Sequence, residues 1–277
     1  MSLPTVLVLA LLTAFPLGFT IFYSFTNFNM LKPKAIKYIK FDNYLKILAD
    51  PYFQQALGNT LKFMVLAVVI ETLFGLLVAL LINSLGSGQK VLRTLILLPV
   101  ILPPVTVALI WRIMLSNNYG IFNQILTSLG AAQVNWLNDV NTAFYCILAI
   151  DVWQYMPFAF LLIYASLQSV PVSQYEAAQI DGANAIQVFL FVTLPNILSG
   201  IVLVVLLRSI DSIRLFDKVN ILTRGGPANT TATITQYIYN YGVGNYKIGF
   251  SSAGSIVMTL MVLVISLPYI KQAFKRN

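Results

Sequence analysis

Residues Tyr175–Asn196 read YEAAQIDGANAIQVFLFVTLPN. Just upstream, Ser173 is followed three residues later by Glu176, the spacing of a capping box that opens a helix. Ala177 and Ala178 favour helix and carry small side chains, so another surface can approach closely. Gly182 is placed to end that helix with a positive φ. A second helical stretch follows, and Leu194-Pro195 delivers the chain into a long apolar run. The stretch reads as a short helix-turn-helix, polar enough for water and small-faced enough to dock on a partner. The plain alternative is an ordinary connection between helices.

The sequence on both sides is that of a membrane protein. Of 277 residues, 58% are apolar and 9% are charged. A soluble domain carries about 25% charged residues. A spanning helix needs about 20 largely apolar residues, and six runs qualify: about 3–25, 60–85, 95–115, 142–167, 196–220 and 251–269. The first lies in a charge-free run from Met1 to Leu31 and contains Pro16. It is too long for the apolar core of a signal peptide, no basic segment precedes it, and no A-x-A site follows. Membrane helices tolerate a proline such as Pro16; the third run carries Pro103 and Pro104. The expected fold is an all-α integral membrane protein, one domain over 1–277 with six spans.

Composition also removes chemistries. There is no His, so imidazole catalysis and His-ligated metals are excluded. Cys146 is the only cysteine, which leaves no internal disulfide and no Cys-cluster metal site. No Gly-Lys pair exists, so there is no P-loop. The net charge of +8 belongs to loops and lipid headgroups, and nucleic acid is not an expected partner.

The connections differ in kind. Thr26–Asn59 is long and holds Lys32, Lys34, Lys37, Lys40 and Lys46. Gly86–Lys90 is a tight turn, and Asn117–Asn141 is expected to hold a short helix at the interface. Residues 168–195 contain no Lys or Arg, and Thr223–Gly249 is rich in Gly, Thr, Asn and Tyr. Six spans put both termini on one side. With the termini inside, the inner flanks carry Lys90, Arg93, Lys271, Lys275 and Arg276. The outer side carries the five loop lysines plus Arg224 and Lys247. The positive-inside rule does not support that orientation.

The pattern Glu176-Ala177-Ala178, Gly182, Val192, Leu194-Pro195 resembles the EAA loop of binding-protein-dependent ABC importer permeases. In that family the loop is cytoplasmic and fits a cleft of the ATPase subunit. The resemblance implies the type I (MetI-like) permease fold. It also implies both termini in the cytoplasm of a prokaryotic cell, and Glu176, Ala177, Ala178, Asp181 and Gly182 as the coupling segment. Ile221–Pro227, ILTRGGP, is similar to a segment of sugar permeases such as the maltose and glycerol-3-phosphate systems. FDNY at 41–44, DPYFQQALGNT at 50–60 and SVPVSQYEAA at 169–178 share that character. The resemblance covers nearly the whole chain and departs at the amino end, where no basic stretch precedes the first span.

Two polar clusters interrupt the spans, and charged groups there face a cavity or a partner. Asp151, Tyr155 and Phe158 share one helical face, bordered by Gln154. Arg208, Asp211 and Ser212 share another, and Arg214, Asp217 and Lys218 continue the polarity outward. Laid without gaps against the maltose permease, these two sets fall on positions lining its sugar site, with different residue types. They are the expected substrate pathway, weighed against a structural ion pair of Arg208 with Asp211 or Asp151. Glu71 is expected to pair within the bundle. Gly225, Gly226 and Pro227 make a turn or an outer loop touching the binding protein or the solute.

The expected function is a permease subunit importing a sugar or polyol by ATP-driven alternating access. Glycerol-3-phosphate or another anionic solute is the alternative. A membrane-embedded enzyme or an ion-coupled transporter is more distant, because the coupling segment would then have no purpose. The implied partners are a second, different permease chain, two ATPase subunits that hold ATP and Mg, a solute-binding protein and membrane lipid. The chain itself is expected to bind no cofactor or metal and to catalyse nothing.

Overall fold

A computed structural model describes residues 3–85 and 87–275. Gly86 of the first turn and Arg276 of the basic tail lie outside the described residues, as do the side chains of Lys271 and Lys275. Among the described residues the chain forms thirteen α-helices, and the only β pairing is an isolated bridge between Thr26 and Tyr38.

Helix α1 spans Leu3–Ser24, α2 spans Asp42–Ala49 and α3 spans Pro51–Ser84. Asp50 caps α3 by accepting from Tyr52 N at 2.9 Å, and Pro51 supplies the fixed φ of a first helical residue. Its 34 residues run about 51 Å, more than a bilayer core requires. α3 therefore begins nine residues before the apolar run it carries.

The expected third span is not one helix. Helix α4 covers Gln89–Ile101 and α5 covers Pro104–Met114, with a 92° bend between them. Pro103 and Pro104 lack N–H donors, and Pro103 forces Leu102 into extended backbone at ψ 135. The freed Leu102 carbonyl is satisfied from outside the helix, by Gln154 Nε2 at 2.8 Å.

Helix α6 is Ile121–Ser128, α7 is Ala143–Gln168, α8 is Val172–Ile180 and α9 is Ala185–Val188. A π-helical turn at Phe189–Thr193 joins α9 to α10, Leu194–Ile213, as one helix of 29 residues. The expected fifth span reached 220, but the helix stops at Ile213. Helix α11, Asp217–Leu222, starts afresh, so Arg214, Asp217 and Lys218 do not extend the face of α10. Helix α12 is Ile234–Tyr239, and a second π turn at Asn240–Gly244 precedes α13, Ile248–Lys275.

Among the described residues four helices are long and apolar enough to cross a membrane. Counted as one broken span, the bent pair brings the number among the described residues to five, and α1 adds a shorter apolar stretch, Val8–Ser24. Helix α7 lies at the centre, against α3 and α10. A Cβ on Gly75 would lie 2.8 Å from both Ala159 Cβ and Phe160 N, so α3 and α7 touch backbone to backbone. Among the described residues three apolar clusters fill the protein; one, with Ile47, Phe53, Ile234 and Ala253, joins α2 and the start of α3 to α12 and α13, and two lie along α3 and α7. Of these two, one gathers Phe63, Ala67, Ile147 and Ile150, and the other Ala79, Ala159, Ile163 and Val204. Glu71 and Asp151 lie in sequence between the two, so a polar layer separates them.

Candidate functional site: a buried charge network beside a cavity

The two sets of pathway residues meet in space. Arg208 donates from Nε to Glu71 Oε2 at 2.5 Å and from Nη2 to Glu71 Oε1 at 3.0 Å. The same Nη2 reaches Asp151 Oδ2 at 3.0 Å, and Nη1 lies 3.6 Å from Asp211 Oδ2. Lys218 donates to the other oxygen of Asp151. Both cations stand over the Tyr155 ring, with Arg208 Cζ at 4.1 Å and Lys218 Nζ at 4.3 Å from its centroid. Glu71, Asp151, Arg208 and Lys218 are each at most 1% exposed. Removing such groups from water costs several kcal/mol per ion. Close pairing and hydrogen bonding offset that cost, and both oxygens of Glu71 and of Asp151 are engaged by the two cations. Five groups from four helices (α3, α7, α10 and α11) are tied at one point.

Beside the network lies a cavity of about 350 Å³. Asp151, Tyr155, Arg208, Asp211 and Ser212 line it, together with Pro104 and residues 214–218. Asp211 is the open member, with its side chain 58% exposed. Ser212 Oγ is buried and has no hydrogen-bond partner. Pro104 lines the cavity because of the α4–α5 bend, and Lys218 because the chain breaks after Ile213. Thr233 Oγ1 holds that break open by donating to Leu215 O at 2.9 Å.

Two pathway candidates are not on the cavity wall. Gln154 turns toward the α4–α5 bend, where it serves Leu102. Phe158 sits seven residues beyond Asp151, about 10 Å further along α7, and is half-buried outside the lining. Lys218 is the member that sequence reasoning missed. It stood out only as polarity beyond a span, and no spacing relates it to Asp151, 67 residues away.

Gly225, Gly226 and Pro227 form a tight loop with positive φ at Arg224, Gly225, Ala228 and Asn229 and a cis bond before Pro227. The loop docks on α3, where Asn59 Nδ2 donates to Asn229 O at 2.9 Å and Ala232 O at 3.0 Å. Thr60 Oγ1 accepts from Ile234 N at 3.0 Å. Asp50 accepts from the Tyr237 hydroxyl at 2.6 Å and from that of Tyr241 at 3.2 Å. Burial and the Asp50 carboxylate hold both phenols above their ordinary range.

The Glu176–Gly182 segment lies at the other end of the bundle. Pro171 rather than Ser173 takes the capping position of α8, so Ser173 is already inside the first turn and its capping box does not form. The box forms instead at α9. There Asn184 Oδ1 accepts from Gln187 N at 2.9 Å, and Asn184 N donates to Gln187 Oε1 at 2.8 Å. Gly182 ends α8 with φ +72. Glu176, Ala177, Asp181 and Gly182 are exposed and Ala178 half-buried. Around them Ile180 and Ile186 are 86% and 70% exposed. Helix α8 is fastened to the base of α10, where Asn196 Nδ2 donates to Gln174 Oε1 at 2.7 Å and the Tyr175 and Thr193 hydroxyls stand 3.3 Å apart.

Residues 71–270 match the family described as binding-protein-dependent transport system inner membrane component. The trehalose/maltose transport system permease protein MalF of Thermococcus litoralis is 39% identical over 85% of this chain and 80% of its own. The arabinooligosaccharides permease AraP of Halalkalibacterium halodurans is 33% identical over 91% of this chain and 81% of its own. A bacterial ABC transporter that imports alginate superposes with TM-score 0.85 at 25% identity, over 99% of this chain and 94% of that chain. The chain belongs to the family of binding-protein-dependent ABC importer permeases and has their all-helical, MetI-like fold. It is the membrane-spanning component of such an importer.

Proposed function

We propose that this permease carries a neutral, hydroxyl-rich solute, a sugar or polyol, and that the cavity beside Arg208 is part of its path. The observation that carries this reading is that the two innermost cations are already matched. Arg208 is held by Glu71 and Asp151, and Lys218 by Asp151. An anionic solute would have to displace buried carboxylates to reach Arg208 or Lys218, which disfavours glycerol-3-phosphate at the network itself; Arg214, exposed on the cavity wall and without an acidic partner within 4 Å among the described residues, is the cation left for a solute. What the cavity offers is Asp211, the unpartnered Ser212 hydroxyl and the Tyr155 ring: acceptors and a donor for hydroxyl groups and a face for ring C–H bonds. Relatives named for trehalose/maltose and arabinooligosaccharide transport support the class.

ATP hydrolysis belongs to two separate ATPase subunits, which hold ATP and Mg. The exposed Glu176–Gly182 helix, with Ile180 and Ile186, is the surface on which they act, and it lies in the cytoplasm with both termini. Helix α10 carries the push. Its base is fastened to α8 by Asn196 and Thr193, and Arg208 lies twelve residues along it, about 18 Å away. A second permease chain completes the pathway, and a solute-binding protein delivers the solute at the far side.

The test is solute-stimulated ATP hydrolysis by the reconstituted complex with its binding protein, across neutral sugars, polyols and phosphorylated glycerol, beside Glu176→Lys. Stimulation by a neutral carbohydrate, lost in Glu176→Lys, is the expected result. Stimulation by an anionic solute alone overturns the neutral-solute reading. An unaffected Glu176→Lys overturns the coupling assignment.

A further inference from the structure

The end of the bundle opposite α8 carries a surface rich in both lysine and exposed apolar side chains. Residues 26–50 hold five lysines against two aspartates. Asp50 is engaged by Tyr237 and Tyr241, and Asp42 by Lys46 at 2.6 Å. Among the described residues, Lys32, Lys34, Lys37 and Lys40 have no acidic partner within 4 Å. Exposed apolar side chains interleave with them: Tyr38 and Phe41 are 68% and 64% exposed, Leu45 and Leu48 67% and 54%.

The arrangement is fixed rather than loose. The chain turns back on itself, with Asn27 N donating to Lys37 O at 3.1 Å and Ile39 N to Phe25 O at 2.8 Å. The Phe25 ring packs on Phe41 at 5.3 Å and on Tyr44 at 5.6 Å. This hairpin leads straight into α2. Asn43 and Ile47 point into the protein, where Asn43 Nδ2 donates to Ser24 O and Thr26 O at 2.9 and 2.8 Å. Phe41, Leu45 and Leu48 lie at i, i+4 and i+7, so α2 has a second, outward apolar face, flanked by Lys46. Tyr44 and Leu48 then form one wall of an open groove of about 550 Å³, whose other wall is Leu260, Met261 and Val264 of α13.

A short helix with an apolar outer face, flanked by unpaired lysines and continuous with a groove lined only by apolar side chains, has the anatomy of an interfacial membrane anchor. Apolar faces alone would suit lipid tails of any kind. The unpaired cations select the headgroup, since clustered lysines at a membrane surface attract anionic lipids. They also account for the charge balance that runs against the positive-inside rule, because these lysines have a local use. We infer that the hairpin and α2 form a binding site for an anionic phospholipid, with the headgroup on Lys32, Lys34, Lys37 and Lys40 and an acyl chain in the α2–α13 groove. The inference does not depend on which solute is carried.

The experiment uses the assembled transporter in phosphatidylcholine nanodiscs doped with spin-labelled phosphatidylglycerol or spin-labelled phosphatidylcholine. The fraction of motionally restricted label gives the relative association of each lipid. The wild type is expected to prefer phosphatidylglycerol, and the preference to weaken in high salt. Changing Lys32, Lys34, Lys37 and Lys40 together to Gln is expected to lower that preference by about tenfold or more. Basal ATP hydrolysis in neutral lipid should be unchanged. Met261→Trp, which fills the groove, should release co-purified phospholipid seen by mass spectrometry while leaving the lysines intact. A wild type with no preference overturns the inference, as does a lysine variant that keeps its preference. If the lysine variant keeps its lipid and instead loses affinity for the binding protein, the surface is a protein-docking site and the inference falls.

Discussion

Arg208 meets three carboxylates and is itself only 1% exposed, and this decides what its removal does. In Arg208→Met, Glu71 and Asp151 are left facing each other with only Lys218 nearby. Breaking a buried pair by removing one partner costs about 3–5 kcal/mol, because the remaining charge is uncompensated. The expected result is a marked fall in the melting temperature of the detergent-solubilised complex. Adding Glu71→Gln should recover much of that loss, since Asp151 and Lys218 then form a matched pair by themselves. Transport should stay low, because Arg208 also lines the cavity. If the double variant melts no higher than Arg208→Met, the network is not the source of stability. Half of this site was legible in the sequence. Asp151 and Tyr155 declare a common face by a spacing of four, and Arg208, Asp211 and Ser212 by spacings of three and four. The pairing of Arg208 with Glu71 spans 137 residues and follows no period. Lys218 reaches Asp151 only because the chain turns between 213 and 217, a turn without Pro or Gly to announce it.

At the scale of elements, hydrophobic runs located the helices well, and the interruptions within them less well. Pro103 and Pro104 were visible as prolines, yet membrane helices often accommodate proline through neighbouring groups. Whether the helix kinks slightly or turns by 92° depends on a partner for the freed carbonyl, and here Gln154 supplies it from α7. Ser173 illustrates the reverse. Its spacing to Glu176 fits a cap, but Pro171 starts the helix two residues earlier. The α3–α7 contact rests on Gly75 in a way that hydropathy does not reveal. A Cβ there meets the backbone nitrogen of Phe160 at 2.8 Å, and backbone cannot step aside as a flexible side chain can. Gly75→Leu is therefore expected to force α3 and α7 apart and to cost more than the roughly 1–3 kcal/mol of ordinary overpacking. Gly58→Leu, on the same helix, adds the same atoms where nothing lies within 4 Å. The first variant should lose most of its folded yield by size-exclusion chromatography, and the second should keep it. Equal behaviour of the two would mean that the helices are not held by this contact.

At the scale of the whole molecule, charge and coupling surface point to opposite orientations. The end bearing α8 carries few cations in its connections, while the other end carries the hairpin lysines, Arg224 and Lys247. Counted simply, this places α8 outside the cell. The coupling role proposed for the exposed helix with Ile180 and Ile186 places it inside instead, because ATP is in the cytoplasm. The lysines lose their force as a topological signal if anionic headgroups hold them on the outer leaflet. Cysteine accessibility decides between the two. Cys146 is the sole native thiol and is replaced first by Ser. Lys34→Cys then sits on the exposed hairpin, and Ser87→Cys on the exposed turn between α3 and α4 at the α8 end. A membrane-impermeant maleimide applied to intact cells lacking an outer membrane should label Lys34→Cys at once and Ser87→Cys only after permeabilisation. The reverse pattern would put the coupling helix outside, out of reach of any ATPase, and would remove the mechanism proposed for this permease along with the outer-leaflet lipid site.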